Sequence, residues 1–224
     1  FVVSGWVRRS PADLTDSPLK AGDRLVAVNG TPVDRSGDRD RAFTLAQLEK
    51  ELTLRFERKG KEFEMTLKPV SSSDMKTLLY DAWVDENRRK IDSLSGGRVA
   101  YVYVPNTPTQ GHEYFKRYFF PQADKEAIII DERFNGGGLI ADYYIELLTR
   151  PYQSHWNMRY GNDMKTPNAS IQGPKVMIID ETAGSGGDML PWMFRKFKVG
   201  TLVGKATWGG LVGTLGFPEL MDGG

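Results

Sequence analysis

Twice in this chain a short apolar run ends in a glycine-rich turn that opens a helical pattern. No other feature restricts the fold as much. The first instance is Ala127-Ile128-Ile129-Ile130-Asp131, followed by Glu132-Arg133-Phe134-Asn135-Gly136-Gly137-Gly138. The second is Val176-Met177-Ile178-Ile179, followed by Thr182-Ala183-Gly184-Ser185-Gly186-Gly187-Asp188. Short apolar runs bounded by turns suit strands buried on both faces. Strands alternating with helices require crossover connections and a largely parallel sheet.

The same alternation extends on both sides. Residues 98–104 and 176–179 join 127–131 as predicted strands, and 112–120, 139–148 and 189–197 are predicted helices. Residues 156–172 carry little periodicity and are expected to form a long excursion near the site. The first 70 residues differ. Segments 1–3 and 5–7 are strand-like, and 24–30 alternates up to an Asn29-Gly30 turn. Segments 52–58 and 63–68 alternate around Lys59-Gly60-Lys61, a hairpin signature. Residues 69–73 form a linker, and a polar helix over 74–92 stops near Ser95-Gly96-Gly97. The fold class is therefore an α/β core with a mixed, largely parallel sheet and crossover helices, preceded by a small β-rich module. The expected boundaries are 1–70, 71–97 and 98–224.

Composition narrows the chemistry. Thirty basic residues against 29 acidic ones leave a net charge of +1 over 224 residues. No basic block is interleaved with aromatics, so no nucleic-acid partner is expected. The charged stretch at 34–41 reads as a solvated loop. There is no cysteine and there are only two histidines, His112 and His155, which removes thiol catalysis and disfavours a metal site. The apolar runs fall far short of the ~20 residues that span a bilayer, so no membrane partner is expected. The start, Phe1-Val2-Val3-Ser4, reads as a cut into a longer protein.

Ser185 stands where strand becomes helix, with small neighbours that let a substrate carbonyl approach. Free N–H groups at a helix start can hold an oxyanion. The second glycine-rich turn, at the same sheet edge, can supply further N–H donors. Two other uses of such turns remain at this point: glycines needed only for packing, and a phosphate cradle. Neither phosphate-loop pattern, Gly-x-x-x-x-Gly-Lys-Ser/Thr nor Gly-x-Gly-x-x-Gly, is present.

The residues also carry a resemblance. Gly22-Asp23-Arg24-Leu25-Val26-Ala27-Val28-Asn29-Gly30 resembles the core of bacterial-type PDZ domains. Asp131-x-Arg133-x-Asn135-Gly136-Gly137-Gly138 and Ala183-Gly184-Ser185-x-Gly187-Asp188 resemble the paired active-site motifs of tricorn-type serine peptidases. So do the segment from Ser95 to Asn106 and Val203-Gly204-Lys205-x-Thr207-Trp208-Gly209-Gly210. The resemblance implies Ser185 as nucleophile. It implies oxyanion donors at the backbone N–H of Gly186 and at one N–H of the second turn, Gly138 before Gly137. It places the general-base histidine upstream of the PDZ module and the acidic partner beyond residue 224, both outside this chain. Carboxyl-terminal processing peptidases share the core but use a lysine base, and here that position holds Gly210. A Ser/Lys dyad is therefore not expected, and His112 and His155 match no family motif.

The implied function is a tricorn-like endopeptidase or oligopeptidase acting on peptide or unfolded-polypeptide substrates. No cofactor and no metal are implied. The family assembles as a homo-oligomer, a hexamer, in the cytoplasm, with the bacterial periplasm or envelope as the alternative location. The competing reading is a non-catalytic peptide-binding scaffold, which would need neither the serine nor the paired turns. An unrelated α/β hydrolase is a poorer fit, because Gly-x-Ser-x-Gly is not in register.

Overall fold

Alternating apolar and polar residues build the first unit. In β3 (Leu52–Arg58) every second residue, Leu52, Leu54 and Phe56, is buried, and in β4 (Lys61–Leu67) Met65 joins them. The two strands pair antiparallel, with Arg55 opposite Glu64, and the two side chains form an ion pair at 2.8 Å on the outward face. With β1 (Arg24–Val28) and β2 (Thr31–Pro32) they make a four-stranded sheet in the order β2-β1-β3-β4. Two-residue turns at Asn29-Gly30 and Lys59-Gly60 connect the hairpins, so Lys61 lies in the strand rather than the turn. Leu19 and Val28 complete the small core, with Val3, Leu25 and Phe63 packed against it.

The computed structural model describes residues 1–14, 16–34, 36–43, 50–213 and 218–223, and the chain divides into two units, Phe1–Glu86 and Asn87–Gly224. The expected strands at 1–3 and 5–7 are not formed. Val2 makes one isolated bridge to Arg24, and the segment then turns away. Asp13 of the short helix α1 (Pro11–Leu14) accepts hydrogen bonds from Trp6 Nε1 at 2.9 Å and the Arg9 N–H at 2.7 Å. Residues 1–3 still exchange backbone hydrogen bonds with 22–25, while this side-chain anchoring holds the segment around Trp6 and Arg9. The charged stretch at 34–41 runs into a single 3-10 turn, Arg39–Phe43, and its Arg35 lies outside the described residues.

Asp23 ties this unit together. Its carboxylate, 1% exposed, accepts Arg58 Nε and Nη2 at 2.6 Å and the Lys20 N–H at 2.6 Å. The Arg58 hydrogen bond is the main cause that lowers its pKa from 3.8 to about 2. A depressed carboxylate stabilises the fold above its unfolded pKa and loses that contribution as pH falls through the folded one. The urea midpoint of the first unit is therefore expected to fall between pH 3.8 and about 2, a limb that Asp23→Asn removes. An unchanged acid limb in that variant would refute the assignment.

Helix α2 (Ser72–Ser95) starts at a Ser71 cap, where the Asp74 N–H donates to Ser71 Oγ at 3.0 Å and Ser71 Oγ donates back to Asp74 at 2.7 Å. It outruns the predicted 74–92 at both ends. The second unit follows the predicted alternation: β5 (Val99–Tyr103), α3 (Thr109–Phe119), β6 (Ala127–Asp131), α4 (Ala141–Leu148). After these come β7 (Ser154–Trp156), β8 (Met164–Thr166), β9 (Lys175–Ile179), α5 (Gly186–Lys196) and β10 (Thr201–Gly204).

The main sheet runs β10-β9-β6-β5, and every neighbouring pair is parallel. Ile128, Ile130, Met177, Phe115, Tyr144, Leu190 and Phe194 form its buried core. Two features were not anticipated. Half of the 156–172 excursion is an exposed antiparallel hairpin, β7–β8, and β10 supplies the sheet edge. Helix α5 begins three residues earlier than predicted, immediately after Ser185, because the glycines that weaken a helical pattern in sequence are tolerated in its first turn.

Candidate active site

All four parallel strands end at one edge, and backbone hydrogen bonds stitch together the loops that leave them. After β5, the Thr107 N–H donates to Gly137 O at 2.9 Å, while the Gly136 N–H donates to Pro105 O at 3.0 Å. Between the β6 and β9 turns, the Gly184 N–H donates to Asn135 O at 3.1 Å, and the Phe134 N–H to Asp180 Oδ1 at 3.2 Å. After β10, the Trp208 N–H donates to Ala183 O at 2.9 Å. Carboxyl edges of α/β sheets are where such loops gather into sites.

Beneath the β6 turn lies Asp131, fully buried. It accepts Tyr101 Oη at 2.7 Å and Arg133 Nε at 2.9 Å, and pairs with Arg133 Nη2 at 2.5 Å. Burial, reinforced by the Asp131 charge, pushes the Tyr101 phenol up, so it remains a donor. Asp180 Oδ1 closes the β9 turn by accepting the N–H groups of Thr182 and Ala183 at 3.1 Å and Thr182 Oγ1 at 2.8 Å. Burial alone would raise that carboxyl, but these donors together hold it below its ordinary value.

Ser185 is the cap of α5, with φ 57 and ψ −114. A non-glycine residue at positive φ is strained by about 1–3 kcal/mol and persists only where its surroundings hold it. Here Asp188 does so: its Oδ2 accepts the Ser185 N–H at 2.7 Å, and its Oδ1 accepts the Gly209 N–H at 2.7 Å. One buried carboxylate thus clamps the serine turn and the β10 loop together.

The three candidate glycines occupy different positions. The Gly137 N–H donates to Asn135 Oδ1 at 2.8 Å, and Asn135 Nδ2 in turn donates to Val104 O at 3.1 Å. The Gly137 N–H is therefore committed inside the turn. Among the described residues, the Gly138 and Gly186 N–H groups donate to no protein acceptor. These two residues meet closely: a Cβ on Gly186 would stand 2.8 Å from Gly138 N and 2.3 Å from both Gly138 O and Thr107 Oγ1. A Cβ on Gly137 would stand 2.7 Å from Ser185 Cβ. Both turns approach to backbone contact, which only glycine permits.

Neither histidine hydrogen-bonds Ser185 among the described residues. His112 stacks edge-on against Tyr143 at 4.2 Å, and His155 Nδ1 shares a 2.7 Å hydrogen bond with Tyr152 Oη. Lys205 pairs with Glu181 at 2.6 Å, and that hydrogen bond holds its ammonium above the ordinary value, a poor state for a base. Of the residues that shape the site, Thr107 lies outside the motifs read from the sequence, and Asn135, Asp188 and Trp208 lie inside them without an assigned role. Ser185-x-x-Asp188 carries the spacing of a capping box, a signal that identifies the clamp.

A serine at positive φ thus stands at the carboxyl edge of a parallel sheet, in the same loop cluster as two backbone N–H groups with no protein acceptor among the described residues. The family model of peptidase family S41 matches residues 98–224, and this chain belongs to that family. The tricorn protease of Thermoplasma volcanium is 29% identical over 215 residues, covering 96% of this chain and 21% of that protein. A putative tricorn-like protease C-terminal subunit of Sulfurisphaera tokodaii is 33% identical over 205 residues, 92% of this chain and 23% of its own length. The crystal structure of the tricorn protease superposes with a TM-score of 0.84 at 28% identity, over 98% of this chain and 21% of that one. The chain thus spans about a fifth of the length of these relatives.

Proposed function

We propose that these residues form the nucleophile and oxyanion half of a serine peptidase. The observation that carries the reading is the close approach of Gly138 and Gly186, whose N–H groups are uncommitted among the described residues, with Ser185 next to Gly186 in the chain. Ser185 Oγ attacks the scissile carbonyl carbon, and its proton passes to a histidine supplied from outside these residues. The carbonyl oxygen takes the negative charge between the Gly138 and Gly186 N–H groups. Collapse then breaks the C–N bond, and the amine leaves with the proton. Water hydrolyses the acyl-enzyme by the same steps in reverse roles.

Gly137 stands outside the donor pair in this reading and instead shapes the turn. The substrate is a peptide or unfolded polypeptide. The first unit, with its Gly22–Gly30 segment forming β1 and its turn, serves as a PDZ-like peptide-binding module. Assembly as a hexamer in the cytoplasm belongs to the same proposal. The Asp188 clamp and the strained serine favour an enzyme over a scaffold, since a scaffold has no use for that strain.

The test is a fluorophosphonate probe applied to the full-length protein, with the labelled peptide mapped by mass spectrometry. Labelling at Ser185, lost in Ser185→Ala, is the expected result. A folded preparation that takes up no probe would leave the peptide-binding scaffold as the better account.

A further inference from the structure

Trp208 is the most exposed tryptophan in the second unit, with 72% of its surface open, yet it is held at fixed points beside the nucleophile. Its N–H donates to Ala183 O, two residues before Ser185, at 2.9 Å. The next N–H, that of Gly209, reaches the same Asp188 carboxylate that holds the Ser185 N–H, both at 2.7 Å. The indole lies against the backbone of the serine turn: a Cβ on Gly184 would stand 2.9 Å from Trp208 Cε3. On the other side, a Cβ on Gly210 would stand 2.0 Å from Cζ3. Two glycines therefore leave room for a large ring that is locked in place and still faces solvent.

Singly exposed apolar residues are ordinary. One whose backbone is pinned to the turn that carries the proposed nucleophile is not, because it offers apolar surface beside that residue. Leu211 and Val212, which follow it, are exposed as well. Three carboxylates around the turn are engaged: Asp180 by the Thr182 hydroxyl and three N–H groups, Asp188 by two N–H groups and Glu181 by Lys205. Glu132, the further acid beside them, is fully buried, so among these described residues no unengaged carboxylate is exposed to pair with a cationic side chain and the surroundings favour an apolar one.

We infer that Trp208 is a wall of the subsite flanking the scissile bond and takes a large apolar side chain of the peptide substrate. This rests on the serine-peptidase reading. Burying such a side chain against the indole corresponds to roughly 10–100-fold in kcat/KM.

The experiment uses the full-length protein and matched fluorogenic peptides whose two residues flanking the scissile bond are scanned through Phe, Leu, Lys and Gly. Trp208→Ala is expected to lower kcat/KM for Phe and Leu peptides by roughly 10–100-fold, and for Gly peptides by less than about 3-fold. Trp208→Phe is expected to keep most of the apolar preference. Fluorophosphonate labelling of Ser185 separates the two readings. Absence of labelling in the wild type sinks the peptidase assignment, whereas labelling with no apolar preference sinks only the role of Trp208. An equal loss across all peptides makes Trp208 a structural residue and overturns the inference. Where Trp208→Ala fails to label, Trp208→Gln, which keeps an extended side chain and adds polarity, is measured in its place. Loss of labelling in both variants counts against the subsite.

Discussion

Gly186→Ala is expected to lower kcat by at least about 10²–10³-fold while leaving the second unit folded. The added methyl would stand 2.3 Å from Gly138 O, 2.3 Å from Thr107 Oγ1 and 2.8 Å from Gly138 N. Two of those three atoms are backbone, so the β6 turn or the serine turn must move, and either movement separates the two N–H donors. The loss should appear in kcat more than in KM, since an oxyanion contact is made fully only in the transition state. Gly136→Ala is the control. It lies in the same triple-glycine turn, but its Cβ would meet nothing within 4 Å. It is expected to retain activity within about 3-fold, as surface substitutions away from special features usually do. Comparable losses in both variants would mean that the turn tolerates no side chain at all, and the close approach of Gly138 and Gly186 would not be the cause.

That contrast also shows what could be read from the chain before its structure. Patterning carried the architecture. Residues 127–131 and 176–179 are apolar on consecutive positions, and both became interior strands of a parallel sheet. Strand β10 escaped notice because Thr201–Gly204 is short, half polar and at the sheet edge, where burial imposes little pattern. The β7–β8 hairpin escaped for the same reason, since its strands are three residues long and mostly exposed. At the site, the motifs named Ser185, Gly186, Gly137 and Gly138 as a group. They put Gly138 before Gly137 without fixing which, because the difference lies in one side-chain hydrogen bond, from the Gly137 N–H to Asn135 Oδ1. Spacing along a chain does not reveal which of two adjacent N–H groups is already taken.

Glu132→Gln is expected to make the second unit less sensitive to alkaline pH. Glu132 lies at the end of β6, fully buried, and neither carboxyl oxygen has a hydrogen-bond partner. Three acidic side chains face it: Asp188 on α5, Asp180 at the end of β9 and Asp131 on its own strand. Burial, then those neighbouring charges, push its pKa well above the ordinary 4.5. The folded state therefore keeps a proton that the unfolded state has released. Above pH 4.5 the native form binds more protons than the unfolded form, so stability falls with rising pH until Glu132 ionises in place. One proton corresponds to about 1.4 kcal/mol of lost stability per pH unit over that interval. Other groups add their own slopes, and Asp180, whose pKa is lowered, works in the opposite sense at acid pH. The difference between wild type and Glu132→Gln cancels them. Urea unfolding from pH 4 to about pH 9 should show the wild type losing ground steadily to the variant above pH 4.5. Parallel curves would mean that the carboxyl is ionised in the folded protein, held by a partner that compensates its burial. The acid would then be a further negative charge beside Asp131, Asp180 and Asp188. A neutral Glu132 adds none, which is why the protonated state is the one consistent with a carboxyl buried among three acids.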